Sequence, residues 1–180
     1  MAYPNKLLHN PKTGQEIRFL QTGKSGILEM ESIYPARSKE PAPHYHPFQS
    51  EDFLVLEGAL SVRIDGAVKI LKKGDSLHIP PNKIHSMWNN TSGQTVVNWK
   101  VQPPLKTEYF LETVCGLAQD NKTNQQGMPG ILQVALLANH FSREFRLSAP
   151  PFFLQKLLFL LLTPFALVLG YRPLYKKYLD

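Results

Sequence analysis

The sequence predicts an all-β unit, built as a sandwich, jelly roll or barrel, followed by an α-helical extension. Three observations carry this expectation. Fifteen prolines and eleven glycines in 180 residues break the chain into short elements. Between Glu16 and Val101 about eight short strand-like stretches follow one another with turn residues and no helical period between them. Beyond Pro103-Pro104 the apolar spacing lengthens to helical.

Taken in order, the expected strands are Ile17–Phe19, Ile27–Tyr34, Asp52–Leu56, Leu60–Ile64, Val68–Leu71, Ser76–Ile79, His85–Trp88 and Val96–Val101. Gly23, Pro41, Pro43, Asp65-Gly66, Lys73-Gly74-Asp75 and Pro80-Pro81-Asn82 punctuate them. Asp65-Gly66 is the strongest hairpin signal, because both central residues of a two-residue loop need φ > 0. Residues 1–15 are polar and turn-rich. Phe110, Leu111, Val114, Leu117 and Ala118 set one helix over 106–119, and Val134, Leu137, Ala138, Phe141 and Phe145 a second over about 131–146. A third, strongly apolar segment follows Pro150-Pro151 and runs to Gly170. The expected organisation is a barrel over 16–102 and a helical extension over 103–180, part of the same compact unit.

Composition excludes several classes of protein. With 43% hydrophobic and 19% charged residues the chain is too apolar for disorder. The net charge of +6 is scattered apart from Lys72-Lys73 and the tail Arg172, Lys176, Lys177, so no nucleic-acid partner is expected. A single cysteine, Cys115, excludes an internal disulfide and reads as a small buried hydrophobe. The N-terminal stretch lacks an apolar core of signal-peptide length, so a cytoplasmic protein is expected.

The chemistry is concentrated in two segments. Pro43-His44-Tyr45-His46 places two imidazoles two residues apart, hence on one face of an extended strand. Glu51 follows on the next stretch of strand, which Gly58 ends. The second segment, Gly74 to Asn89, brings His85 after the stiff turn Pro80-Pro81-Asn82. Three neutral imidazoles and one carboxylate suit a divalent transition metal (Fe, Mn, Ni, Cu or Zn) better than Ca or Mg. Four protein ligands leave a coordination position open for substrate or dioxygen. His44, His46, Glu51 and His85 are therefore the expected metal ligands.

The order of these residues resembles the two motifs of the cupin superfamily. The first reads His44-x-His46-x4-Glu51-x6-Gly58 and the second Gly74-x5-Pro80-x-Asn82-x2-His85-x3-Asn89. Asn82 stands where the family usually has glycine, and asparagine tolerates φ > 0 better than most residues. The resemblance covers about residues 16–102 and implies a double-stranded β-helix of cupin type. More loosely, Asn10-Pro11 to Gly14, Gly116-Leu117-Ala118, Lys122-Thr123-Asn124 and Leu169-Gly170-Tyr171-Arg172 resemble stretches of bacterial single-cupin proteins.

The superfamily includes dioxygenases, isomerases, decarboxylases and non-catalytic binders, so fold alone does not select the reaction. The leading expectation is a dioxygenase-like, metal-dependent oxidoreductase acting on a small organic molecule, with Glu51 also able to shuttle a proton. A metal-dependent isomerase or lyase and a non-catalytic sensor are the alternatives. Met30, Phe53 and Trp99 are expected on the interior face, with Tyr45, Gln49 and Met87 near the pocket rim. His78, between Leu77 and Ile79, is expected to face outward. Phe152–Leu169 spans 18 residues but carries Gln155, Lys156 and Pro164. Packing on the protein or on a second subunit of a homodimer is expected for it, with membrane-surface contact through 152–170 as the alternative.

Overall fold

The computed structural model describes residues 2–179. Among them the elements run β1 Leu7–His9, β2 Glu16–Gln21, β3 Leu28–Tyr34, β4 His44–Tyr45, β5 Ser50–Glu57, β6 Ala59–Ile64, β7 Ala67–Lys72, β8 Ser76–Ile79, β9 His85–Trp88 and β10 Thr95–Gln102. There follow α1 Thr107–Gln119, α2 Ile131–His140, β11 Arg146–Leu147 and α3 Phe152–Val168. One sheet has the order β1-β2-β3-β10-β5-β8 and the other β11-β4-β9-β6-β7. The two face each other as a double-stranded jelly roll around Phe53, Val55, Leu60, Val62, Ile79, Met87 and Val97.

Local chemistry explains the chain's path. In β5 burial alternates residue by residue, so Glu51, Phe53 and Val55 face inward and Asp52, Leu54 and Leu56 outward. Gly58 joins β5 in one sheet to β6 in the other. Its φ is +75°, and a Cβ there would stand 2.5 Å from the Gln94 carbonyl oxygen, so no larger residue fits unstrained. Asp65 and Gly66 both have positive φ, and Ile64 pairs with Ala67, which is the expected two-residue hairpin.

All eight expected strands form, with ends shifted by at most a few residues. Three short strands were not expected. Leu7–His9 pairs with β2 inside the polar N-terminal stretch. His44–Tyr45 and Arg146–Leu147 pair with each other, Tyr45 with Arg146 and His44 with Leu147. The second helix consequently ends at His140 rather than near 146, and the chain turns back to cover the open edge of β4. An uncovered edge strand would leave backbone donors and acceptors unpaired there.

α1 packs on the inner face of the first sheet, the face that carries Phe53 and Trp99, and the helices pack on one another. Cys115 of α1 lies in the cluster of Leu8, Ile17, Phe19, Leu28, Met30 and Val101. Leu117, Leu137 and Phe141 join α1 to α2. α3 continues through Pro164 and buries only Gln155, Phe159 and Ala166. Among the described residues no helix is long and apolar enough to cross a membrane.

Candidate metal centre

His44 sits on β4 directly opposite His85 on β9, so their side chains leave neighbouring strands on the same face. His46 follows one residue beyond β4, and Glu51 arrives from β5 in the other sheet. One nitrogen from each of His44, His46 and His85 lies within 4.8 Å of the others, so these three could hold a metal ion. Glu51 is outside that group of three, yet its Oε2 is 3.3 Å from His46 Nε2 and 2.9 Å from His85 Nε2. Glu51 and His85 are each 2% exposed.

The far side of each ring explains what the near side can do. His44 Nδ1 lies 3.1 Å from the Ala42 carbonyl oxygen, His46 Nδ1 2.5 Å from that of Glu144, and His85 Nδ1 2.9 Å from that of Lys83. A carbonyl only accepts, so Nδ1 carries the proton in all three rings and Nε2 keeps its lone pair for the centre. This is the arrangement that orients imidazole ligands in metal sites. Trp99 Nε1 donates to Glu51 Oε1 at 3.0 Å, leaving Oε2 to face the histidines.

The centre consequently gathers acceptors with too few donors. His46 Nε2 and Glu51 Oε2 are buried without a hydrogen-bond partner while facing each other. Two buried acceptors at that distance repel unless a cation lies between them, and an uncompensated buried carboxylate costs several kcal/mol. The residues present therefore fit a divalent cation.

The same contacts set protonation in the absence of a metal. Burial, and then the neighbouring His46 and His85, push the His44 pKa down to about 3, so the ring is neutral at pH 7. For Glu51 burial acts upward, but the facing His46 and His85 outweigh it and hold the carboxyl down at about 2. Burial lowers His85, yet its contact with Glu51 prevails and raises it. Without a metal ion, a proton on His85 is what can satisfy Glu51.

A cavity of about 290 Å³ opens beside these four residues. Phe53, Met87 and Trp99 line it from the barrel, whereas Met30, Tyr45 and Gln49 do not. Met30 is buried in the cluster beneath α1, and Gln49 donates to the Pro103 and Pro104 carbonyls and to Thr107 Oγ1. The other walls come from α1 (Phe110, Leu111, Val114), from α2 (Val134, Leu137) and from Phe145, which stacks on the His44 ring with centroids 4.8 Å apart. Tyr34 supplies a rare polar group, and burial pushes its hydroxyl up to about 12, so it stays protonated. Sequence reasoning missed Tyr34, the helical walls and the Trp99–Glu51 bond. His78 faces outward as expected, beside Asp52 at 2.7 Å.

Fold and site together define a two-sheet barrel with a histidine–carboxylate centre in a largely apolar mouth. Residues 30–99 match the family model described as Cupin domain. It is similar to an RmlC-like cupin from Shewanella frigidimarina, 19% identical with a TM-score of 0.50 over 60% of this chain and 94% of that one. Over 43 residues, 24% of this chain, it is 44% identical to the quercetin 2,3-dioxygenase of Bacillus subtilis. Over 55 residues, 30% of this chain, it is 34% identical to a probable oxidoreductase of Penicillium expansum. These matches span only 13% and 17% of the two relatives' own lengths.

Proposed function

We propose that this protein is a metal-dependent, dioxygenase-like enzyme acting on a small, largely apolar organic molecule. His44, His46, Glu51 and His85 are its ligands for one divalent transition-metal ion. The observation that carries this reading is the common orientation of the three imidazoles, each tied through Nδ1 to a carbonyl and offering Nε2 beside Glu51. Local likeness to a dioxygenase and a probable oxidoreductase supports the reaction class.

When bound, the ion supplies Lewis acidity and a place for dioxygen and substrate to meet. The chain's own residues do the rest. The three rings are held through Nδ1 with Nε2 toward the centre, so binding needs no ring rotation, only release of the proton that His85 shares with Glu51. Trp99 restrains Oε1 of Glu51 and leaves Oε2 as the ligand atom, which would shuttle a substrate proton only on leaving the metal. Phe53, Met87, Phe110 and Phe145 exclude water and receive the apolar part of the substrate.

Elemental analysis of protein purified without added metal is the direct test. One transition-metal ion per chain is expected, and His85→Ala and Glu51→Ala are each expected to lose it. Full stoichiometry in both variants would refute the ligand assignment. Oxygen uptake with phenols, flavonols, diketones and thiols then tests the reaction. Tight binding of one of these with no turnover on any loaded metal would make the protein a sensor instead.

A further inference from the structure

α3 presents a surface that the metal centre does not use. Its buried positions, Gln155, Phe159 and Ala166, recur at helical spacing and form one narrow stripe. Asn139 Nδ2 donates to Thr163 Oγ1 at 2.8 Å, and Gln155 Nε2 donates to the Leu147 carbonyl at 2.9 Å, so the helix is fixed by its polar side. The opposite side is apolar. Among the described residues, ten Leu, Phe and Val side chains from Phe153 to Leu169 are 42% to 87% exposed. Clustered exposed apolar side chains on this scale mark interaction or membrane surfaces.

Charge indicates what covers this face. Residues 145–180 contain Arg146, Lys156, Arg172, Lys176 and Lys177 against a single acidic residue, Asp180, so the segment carries a net charge of +4. Among the described residues only Lys177 of these has a carboxylate partner, Asp120. A groove of about 240 Å³ between α2 and α3 is lined by Ser142, Arg146 and Lys156 at the border of the apolar face. A second copy would set these cations against their own counterparts, because a two-fold contact pairs a patch with itself. An anionic lipid surface instead matches both the apolar face and its cationic border.

We infer that α3 lies flat on an anionic membrane surface, with its outer face among the acyl chains and Lys156, Arg146 and Arg172 at the phosphates. The inference is independent of the metal centre, and its test does not involve activity. The full chain is sedimented with vesicles of phosphatidylcholine containing about a third phosphatidylglycerol, and with pure phosphatidylcholine vesicles. Binding to the anionic vesicles, at least about tenfold stronger than to the neutral ones, is expected at 0.1 M salt. Leu161→Glu with Val168→Glu is expected to abolish it, and Lys156→Glu with Arg172→Glu to weaken it at least about tenfold. All four side chains are exposed, so melting curves should stay near the parent's. Absence of binding to anionic vesicles, or equal binding to neutral ones, would overturn the inference. So would a parent dimer that Leu161→Glu with Val168→Glu converts to monomers while vesicle binding is absent, since a second copy would then cover α3.

Discussion

Trp99→Phe tests the centre without touching a proposed ligand. The indole Nε1–H is the donor to Glu51 Oε1 at 3.0 Å, and the ring lies parallel to Phe53 with centroids 5.9 Å apart. Phenylalanine keeps a smaller aromatic ring at the stacked position and removes the donor. A hydrogen bond to a charged group contributes about 1.5–3 kcal/mol. At about 1.4 kcal/mol per tenfold, that predicts roughly a 10- to 100-fold loss of metal affinity. Loss of an outer partner of a metal-bound carboxylate falls in the same range. The assay is competition for the metal against a chelator, with near-UV circular dichroism as the check on folding. An affinity within about twofold of the parent would refute the idea that Trp99 holds Glu51 in place.

Three further perturbations read other parts of the structure. Gly58→Ala should lower unfolding free energy by at least about 2 kcal/mol, combining positive φ with the approach to the Gln94 carbonyl; an unchanged urea midpoint would refute this. At Asn82, where φ is +66°, glycine should leave stability within about 0.5 kcal/mol while valine should cost about 1–3 kcal/mol, and equal melting temperatures for the two would contradict it. Glu40 accepts from Arg63 Nε at 2.8 Å and Nη2 at 3.0 Å, and these bonds hold its carboxyl below the ordinary 4.5. A carboxyl lowered on folding stabilises above its unfolded pKa, and that contribution is lost as pH falls through the folded value. The urea midpoints of the parent and Glu40→Gln should therefore differ at pH 7 and draw together as pH falls through the folded pKa of Glu40, and a gap that persists once the carboxyl is protonated would exclude this account.

Much of the barrel was legible because its signals are local. Short apolar runs bounded by turn residues marked eight of the strands, and Asp65-Gly66 specified a hairpin without reference to anything distant. The strands that escaped notice, β1, β4 and β11, are two or three residues long and carry too little pattern to stand out. The second helix was read to about 146 because Phe141 and Phe145 continue the helical spacing. Pairing of Arg146–Leu147 with β4 overrides that spacing through backbone hydrogen bonds formed about a hundred residues away.

The same division runs through the site. Residue order alone singled out His44, His46, Glu51 and His85, because imidazoles and a carboxylate at strand spacing have few other uses together. Met30, Tyr45 and Gln49 were expected at the pocket, but parity does not say which part of an inner face a helix covers: Met30 shares a face with Trp99 yet is buried in the cluster beneath α1. Only the tertiary structure decided that Trp99 bonds Glu51, that carbonyls of Ala42, Glu144 and Lys83 set the three tautomers, and that α1 and α2 wall the mouth. Donor identity and strand period are properties of neighbouring residues and can be read from the chain. Which strands meet across a barrel, and which helix folds back over its mouth, are set by packing between distant segments, so they appear only once the chain has closed on itself.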